Sequence, residues 1–122
     1  MNDFLQSIID RDPAAKSKLS LILTYPGVKA VFFHKIANFF YLAKFDLVAR
    51  FISQLSRFLT GIEIHPGAKI GNGVMFDHAY GSVVGETAVI GNDCSIFHNV
   101  YLGGKGEGDR HPKIGNNVVI GA

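Results

Sequence analysis

The chain has 122 residues, of which 48% are hydrophobic and 18% are charged, and its formal net charge is +2. This composition is typical of one folded domain, or of one domain with an appendage, and it excludes a disordered chain. The charge is too small, and Lys and Arg are too scattered, to indicate binding to nucleic acid or to an anionic membrane.

The sequence carries no signal for export or membrane insertion. Its first residues include an acidic Asp3 and no positively charged segment, and no apolar run approaches the ~18 residues of a membrane span. A single cysteine, Cys94, excludes an internal disulfide, and its place in the repeat described below predicts a plain core residue. We therefore expect a cytoplasmic protein.

The first half of the chain has the apolar spacing of helices. Asp12 and Pro13 have the character of an N-cap and a first helical residue, which predicts a helix over 13–24 that breaks at 25–27. Two more helices are predicted over 28–42 and 47–59. Eight of the ten phenylalanines precede residue 60, which indicates core packing or an oligomer contact, and His34 is expected to be a structural histidine.

The second half follows a six-residue repeat, with a slip of two residues near 79–83 and one turn skipped at a Gly-rich insertion. A step of six fits neither a helix nor an alternating strand, and it is typical of a parallel β-helix in which each hexad forms one strand and one corner. We predict an α+β fold, with a helical domain over 1–60 and about three β-helical coils over 61–122. The inward positions are Ile64, Ile70, Phe76, Val84, Ile90, Ile96, Leu102, Ile114 and Ile120.

Residues of the types used in catalysis and ligand binding interrupt this repeat. Asp77 and His78 precede the slip in phase, and Glu63 stands fifteen residues earlier, about one coil away. A carboxylate that holds an imidazole leaves the other ring nitrogen to act as a general base near pH 7. Arg110 and His111 lie in the insertion and suit an anionic group such as a substrate carboxylate.

At these residues the chain resembles the bacterial serine O-acetyltransferases, a family of hexapeptide-repeat acyltransferases. The resemblance covers about residues 10–122. Its motifs are RDPA near the start, IEIHPGAKIGNGVMFDHAYGSVVGETAVIG, LGG, DRHPKIG and VVIGA. It implies a left-handed β-helix and transfer of an acetyl group from acetyl-CoA to L-serine, giving O-acetylserine for cysteine biosynthesis.

The resemblance also implies a role for each matching residue. His78 matches the general base and Glu63 the carboxylate that orients it, at a position where the family often has Asp. The loop over 105–108 is shorter than we expect from the family. Asp12 and Asp77 match the ligands of the serine amino group, Arg110 and His111 match the ligands of its carboxylate, and Gly103, Gly104 and Ala122 match the strip that receives acetyl-CoA.

Two other functional classes stay open. One is a zinc-dependent carbonic anhydrase, because β-helices of this kind host such enzymes and the chain has His65, His78, His98 and His111. The DHAYG and DRHP motifs favour the acetyltransferase, for which no metal is expected. The other is a non-catalytic oligomerisation module, and a related enzymatic alternative is acetyl transfer to another hydroxyl, such as that of a sugar.

The resemblance further implies assembly and a longer chain. The family's active site lies between subunits of a trimer, so we expect a homotrimer or a dimer of trimers. The repeat is still in phase at Ala122, whereas the family continues for several coils. We therefore predict a truncated form with weak affinity for acetyl-CoA, and a cysteine synthase partner only where a C-terminal tail exists. No nucleic acid or membrane partner is expected.

Overall fold

The computed structural model describes residues 2–12 and 17–121. Within these residues, four helices come first and nine two-residue strands follow them. The helices are α1 (Asn2–Arg11), α2 (Lys18–Thr24), α3 (Pro26–Leu42) and α4 (Asp46–Thr60). The strands are β1 (Glu63–Ile64), β2 (Lys69–Ile70), β3 (Met75–Phe76), β4 (Val83–Val84), β5 (Val89–Ile90), β6 (Ser95–Ile96), β7 (Tyr101–Leu102), β8 (Lys113–Ile114) and β9 (Val119–Ile120).

The strands form three parallel sheets of three strands each, in the orders β1-β4-β7, β2-β5-β8 and β3-β6-β9. Each sheet is one face of a prism, and each group of three consecutive strands is one coil. The predicted inward residues pair in register into three columns, which confirms the repeat. The columns are Ile64–Val84–Leu102, Ile70–Ile90–Ile114 and Phe76–Ile96–Ile120.

The register also confirms both irregularities of the repeat. Val83 pairs with Tyr101 eighteen residues later, which is the length of one regular coil. Glu63 pairs with Val83 twenty residues later because of the slip of two. Val89 pairs with Lys113 twenty-four residues later because the insertion adds one hexad. Both irregularities are absorbed at corners, so the columns continue unbroken.

Asparagines stack along the corner that follows β2, β5 and β8. The Asn72 amide donates to Asn92 Oδ1 at 2.9 Å, and the Asn92 amide donates to Asn116 Oδ1 at 2.8 Å. Gly71 provides room for this arrangement, since a Cβ there would lie 2.5 Å from Asn92 Oδ1. The Gly-Asn pairs therefore satisfy backbone donors that the short strands leave unpaired.

The helices pack on the outside of the prism, α3 against β3 and α4 against β1. Gly27 allows the first contact, because a Cβ at that position would lie 2.1 Å from the Phe76 carbonyl oxygen. Helix α4 ends at Thr60, one residue beyond its predicted end, where Gly61 adopts the left-handed conformation (φ 75°) of a C-cap. Buried Cys94 belongs to the core, as predicted.

The N-terminal region differs from the sequence prediction. Helix α1 was not predicted, although Phe4, Leu5 and Ile8 are buried on one side of it. Helix α2 begins at Lys18, with the Ser17 side chain accepting the Ser20 amide as its N-cap. Asp12 follows α1, and the rest of the predicted start, 13–16, lies outside the described residues.

Many apolar side chains of the helices are exposed rather than buried. Phe51 is 70% exposed and Phe58 is 82% exposed on α4, and Leu19 of α2 is 66% exposed. The Phe-rich helices therefore do not form a closed core within one chain. In the described part of the chain, no helix combines the length and the apolar character needed to cross a membrane.

Candidate functional site

Asp77 and His78 lie at the corner between β3 and β4, residues 77–82, which we call the acidic corner. His78 has a positive φ of 49°, and its side chain is 83% exposed. This backbone conformation turns the imidazole away from the prism and into solvent. The corner, including its Tyr80, borders a cleft of about 330 Å³ whose other walls include Tyr25 and Pro26 at the start of α3.

Asp77 is the buried member of the pair. Its side chain is 15% exposed, and its Oδ1 lies 3.5 Å from His78 Nε2 without hydrogen-bond alignment. Among the described residues, Oδ1 has no hydrogen-bond partner. Burial raises the pKa of Asp77, and the negative charge of Asp12 contributes, while His78 acts in the opposite direction.

Asp12 joins the acidic corner from the end of α1. The Tyr25 hydroxyl donates to Asp12 Oδ2 at 2.8 Å. Burial raises the pKa of Tyr25 to about 12, with further contributions from the hydrogen bond to Asp12 and from the charges of Asp12 and Asp77. The corner thus combines two carboxylates, a phenol that stays protonated and an exposed imidazole. Such a group can bind an ammonium ion beside a base.

Arg11 ties α1 to the β-helix. Its Nη2 donates to the Gly73 carbonyl at 2.6 Å, and its Nη1 donates to the Cys94 carbonyl at 3.4 Å and to Ser95 Oγ at 3.3 Å. These contacts anchor the last residue of α1 to the corner after β2 and β5. Asp12, the next residue, is thereby held at a fixed distance from the prism.

Glu63 lies apart from His78 within this chain. It begins β1, and Arg57 Nε of α4 lies 3.2 Å from its Oε1. No hydrogen bond or ion pair joins Glu63 to His78 within the residues that the structure describes. Glu63 instead borders a second cleft, of about 560 Å³, and Tyr80 lines both clefts. The role of Glu63 in orienting His78 stays a prediction.

Arg110 and His111 lie on the loop 103–112 between β7 and β8, stacked on the corner 85–88 between β4 and β5. We call these two segments together the basic corner. Thr87 organises it: its Oγ1 accepts the Arg110 and His111 amides at 3.1 and 3.0 Å. The same oxygen lies 2.6 Å from His111 Nδ1, which also accepts the Thr87 amide at 3.1 Å.

These contacts fix the orientation of the His111 ring. Because Nδ1 accepts a backbone amide, the neutral ring carries its proton on Nε2. Nε2 lies over Gly85, where a Cβ would be 2.1 Å from it. Gly85 is therefore required by the close approach of the imidazole.

The Arg110 guanidinium is partly buried and paired. Its Nη2 lies 3.5 Å from Glu86 Oε1, and its Nη1 donates to the Gly108 carbonyl at 3.1 Å. The Tyr41 hydroxyl donates to the other Glu86 oxygen at 2.9 Å. That hydrogen bond is the largest cause that lowers the pKa of Glu86, and Arg110 contributes to the same shift.

The glycines predicted to face acetyl-CoA surround the same loop. A Cβ on Gly104 would lie 2.7 Å from both Arg110 Cγ and the Arg110 carbonyl oxygen. A Cβ on Gly103 would lie 2.0 Å from the Tyr101 ring. Both glycines allow the chain to fold tightly at the loop, and Ala122 lies outside the described residues.

The structure brings together Asp12, Asp77 and His78 at one vertex of the prism and Arg110 and His111 at another. One face, or six residues, separates neighbouring vertices, which is roughly 20 Å when extended. The prediction from the residues missed Tyr25, Thr87 and Glu86. The sequence did contain a signal for Glu86 and Thr87. They are polar residues at a corner that lies one regular coil, or eighteen residues, before the insertion, so the loop stacks on them.

His34 lies in α3, outside both corners. His34 is buried and its Nε2 lies 3.0 Å from the Ala68 carbonyl, as expected of a structural histidine, although its Nδ1 has no partner among the described residues. Burial lowers the pKa of His34 to about 4. Within 2–12 and 17–121, no three His, Cys, Asp or Glu side chains are grouped to hold a metal ion.

Comparison with known proteins gives consistent matches over almost the whole chain. A serine acetyltransferase of Helicobacter pylori is 50% identical over 120 residues, which are 97% of this chain and 70% of that protein. The crystal structure of Neisseria gonorrhoeae serine acetyltransferase in complex with serine superposes with a TM-score of 0.95 at 45% identity, covering 99% of this chain. No protein-family model matches the chain.

A third match comes from Brucella abortus. Its serine acetyltransferase, solved in complex with coenzyme A, superposes with a TM-score of 0.93 at 41% identity. This chain spans 50% of the solved Neisseria chain and 48% of the solved Brucella chain. The matches agree with the predicted fold, which is a helical region followed by a left-handed β-helix.

Proposed function

Because this chain belongs to the serine acetyltransferase family, we propose that it transfers the acetyl group of acetyl-CoA to the hydroxyl of L-serine. The products are O-acetylserine, a precursor for cysteine biosynthesis, and CoA. One observation carries the proposal: the molecule has an anionic corner beside an exposed imidazole and a separate cationic corner. A zwitterionic amino acid needs both kinds of anchor.

Each anchor has a defined part in the reaction. The carboxylates of Asp12 and Asp77 bind the serine ammonium group, and Arg110 and His111 bind its carboxylate. Burial favours protonation of an empty Asp77, so a bound ammonium ion supplies the positive charge that keeps this carboxylate ionised. His111 can donate from Nε2, because its Nδ1 accepts the Thr87 amide.

His78 carries out the proton transfers. Its imidazole takes the proton from the serine hydroxyl as the oxygen attacks the thioester carbonyl. A C–O bond forms, the C–S bond breaks, and the proton passes from His78 to the departing thiolate of CoA. Backbone N–H groups at the coil edge stabilise the negative oxygen of the tetrahedral intermediate. Glu63 orients the histidine, and acetyl-CoA lies along Gly103, Gly104 and Ala122.

The positions of the two corners favour a site that is shared between subunits. The ammonium and the carboxylate of serine are bonded to one carbon atom, whereas the two corners occupy different vertices of the prism. A trimer would place the acidic corner of one subunit beside the basic corner of its neighbour. The exposed apolar side chains of α4, including Phe51 and Phe58, provide a further surface on which two trimers can pair.

The activity is tested by measuring CoA release by the 122-residue chain with L-serine as the acceptor. Threonine, homoserine and a sugar serve as controls for the acceptor. We expect release with serine well above that with the other acceptors. Preferential release with the sugar would assign the chain to another acceptor class.

The shared site is tested by mixing two inactive variants. Chains with His78→Ala still supply Arg110, and chains with Arg110→Ala still supply His78. Mixed trimers therefore regain some intact sites, so co-expression should restore activity that neither variant has alone. Light scattering that gives a monomer near 13.3 kDa, or mixtures that stay inactive, would contradict the shared site.

A further inference from the structure

Tyr41 reaches the basic corner from the helical region. It lies near the end of α3, and its hydroxyl crosses to the β4–β5 corner to donate to Glu86 Oε2 at 2.9 Å. The path leads over Gly67, where a Cβ would be 3.0 Å from Tyr41 Cζ and 3.1 Å from both Tyr41 Oη and the Glu86 carbonyl oxygen. Gly67 thus leaves the space that the phenol occupies.

His65 supports the Tyr41 ring on one side. The two rings meet edge to face, with centroids 5.8 Å apart. His65 is itself fixed, because its Nδ1 accepts the Gly67 amide at 3.0 Å. Burial lowers the pKa of His65, which favours the neutral ring. The phenol is therefore held by its own helix, by a neutral imidazole and by the hydrogen bond to Glu86.

Glu86 connects Tyr41 to Arg110. Its second oxygen, Oε1, lies 3.5 Å from Arg110 Nη2, and both side chains are about one-third exposed. The other contact of the guanidinium is the hydrogen bond from Nη1 to Gly108, which lies on the same exposed loop. Together with a 3.5 Å contact in a partly hydrated place, it restrains a long arginine side chain only weakly. When the Tyr41 hydroxyl holds Oε2, the plane of the carboxylate is fixed and Oε1 presents one direction to the guanidinium.

We propose that Tyr41 is a positioning residue, which acts through Glu86 to orient the Arg110 guanidinium toward the carboxylate of the acceptor amino acid. The inference rests on the proposed function, because that function assigns the carboxylate to Arg110. Because the Arg110 side chain is already oriented in the folded chain, serine binding does not bear the entropy cost of orienting it. In this role, Tyr41 acts on Glu86 and is not itself a ligand of serine or acetyl-CoA.

The test is the Tyr41→Phe variant of the 122-residue chain, titrated with L-serine in a calorimeter without acetyl-CoA. We expect the dissociation constant for serine to rise roughly tenfold, below the ~10²-fold cost of a 1 Å misplacement in a reacting complex. In steady-state assays, KM for serine should rise while kcat and KM for acetyl-CoA stay near the wild-type values. Tyr101→Phe removes a hydroxyl from a tyrosine that is 71% exposed and should leave serine affinity unchanged.

A double variant separates positioning from a general structural role. If Tyr41 acts through Glu86, then Tyr41→Phe should weaken serine binding no further when it is added to Glu86→Ala. Additive losses would overturn the inference, and so would a single variant with wild-type serine affinity. A wild-type chain that binds no serine would overturn the proposed function and this inference together, whereas an unchanged Tyr41→Phe variant would overturn the inference alone.

Discussion

The acidic corner and the basic corner shift the pKa values of their carboxylates in opposite directions. Asp77 is mostly buried, and its Oδ1 lacks a hydrogen-bond partner among the described residues, so its pKa is raised. Glu86 has one oxygen bonded to Tyr41 and the other beside Arg110, so its pKa is lowered. Asp77 at the acidic corner therefore needs a ligand to pair its Oδ1, whereas both carboxylate oxygens of Glu86 at the basic corner are paired within the chain.

Ligand binding and folding stability conflict at the acidic corner but not at the basic corner. An ionised and poorly solvated Asp77 costs stability in the empty chain, and a bound ammonium ion would relieve that cost. The paired Glu86 contributes to stability and also fixes the cation at the same corner. One anchor of the proposed site is therefore unfavourable for folding and the other is favourable, and substitutions at the two corners should separate these effects.

The largest effect is expected at His78. The His78→Asn variant keeps a residue type that tolerates the positive φ of this position, while it removes the base. Serine acetylation should fall by about 10²–10⁴-fold with the fold intact, as measured by CoA release and circular dichroism. Wild-type turnover in His78→Asn would exclude its role as the base.

Asp77→Asn tests the conflict between binding and stability. Serine affinity should fall by roughly tenfold or more, because a charge-assisted hydrogen bond to the ammonium is lost. The free energy of unfolding at pH 7 should rise by about 1 kcal/mol, because a desolvated charge is removed. Calorimetry and urea denaturation measure the two quantities, and a variant that is less stable at pH 7 would contradict this account of the acidic corner.

The pH dependence gives the sign of the Asp77 effect. A raised pKa means that the folded state binds the proton more tightly than the unfolded state does. Stability should therefore decline as pH rises from the ordinary pKa of 3.8 through the raised value, and the cost should persist at higher pH. The Asp77→Asn variant should lose this part of the decline.

Gly85→Ala tests the basic corner without changing any polar group. The new methyl group would overlap the His111 ring, with Cβ 2.0 Å from Cδ2, so the ring must leave its contacts with Thr87. We expect roughly a tenfold loss of serine affinity, the scale of one charge-assisted hydrogen bond, and a loss of stability of about 1 kcal/mol for the broken hydrogen bond to Thr87. Gly115→Ala is the matched control, because Gly115 follows the equivalent strand residue and nothing lies within 4 Å of the added Cβ.

Glu86→Gln should give the smallest change in stability. The ion pair with Arg110 is partly exposed, so its loss should reduce the free energy of unfolding by about 0.5 kcal/mol at low salt. The hydrogen bond from Tyr41 and, to a smaller extent, Arg110 lower the pKa of Glu86. The stabilisation by the ionised carboxylate should therefore be present above the ordinary value of 4.5 and vanish as pH falls through the lowered value. An increase in stability, opposite to this sign, would mean that the two corners do not differ as described.

The β-helix was predictable because its period is written directly in the sequence. Each column contains one residue per coil, and the slip and the insertion move only corners, so counting in sixes recovers the register. The helices were less predictable. Phe4, Leu5 and Ile8 mark α1, but the segment is short. The exposure of Phe51 and Phe58 could not be predicted, because their spacing fits a buried helix face equally well.

The candidate site was predictable only in part. Motifs that resemble the family identified Asp77, His78 and Arg110, and the structure places them at two distinct vertices. The contacts made by Tyr25 and Tyr41 could not be predicted, because Tyr25 precedes α3 and Tyr41 lies in it, and this helical region packs against the β-helix only in the folded chain. Tyr41 and Glu86 are 45 residues apart, and no local pattern connects them.

The loop 103–112 at the basic corner can change in evolution without changing the core of the β-helix. Strand β8 pairs with β5 in register after the loop, so the stacking of the inward residues does not depend on the length of that loop. Residues 105–108 can therefore be lengthened, shortened or exchanged with little effect on the hydrophobic interior. Selection can act on this loop almost independently of foldability, and the same corner is a suitable place to graft loops from relatives when acceptor preference is redesigned.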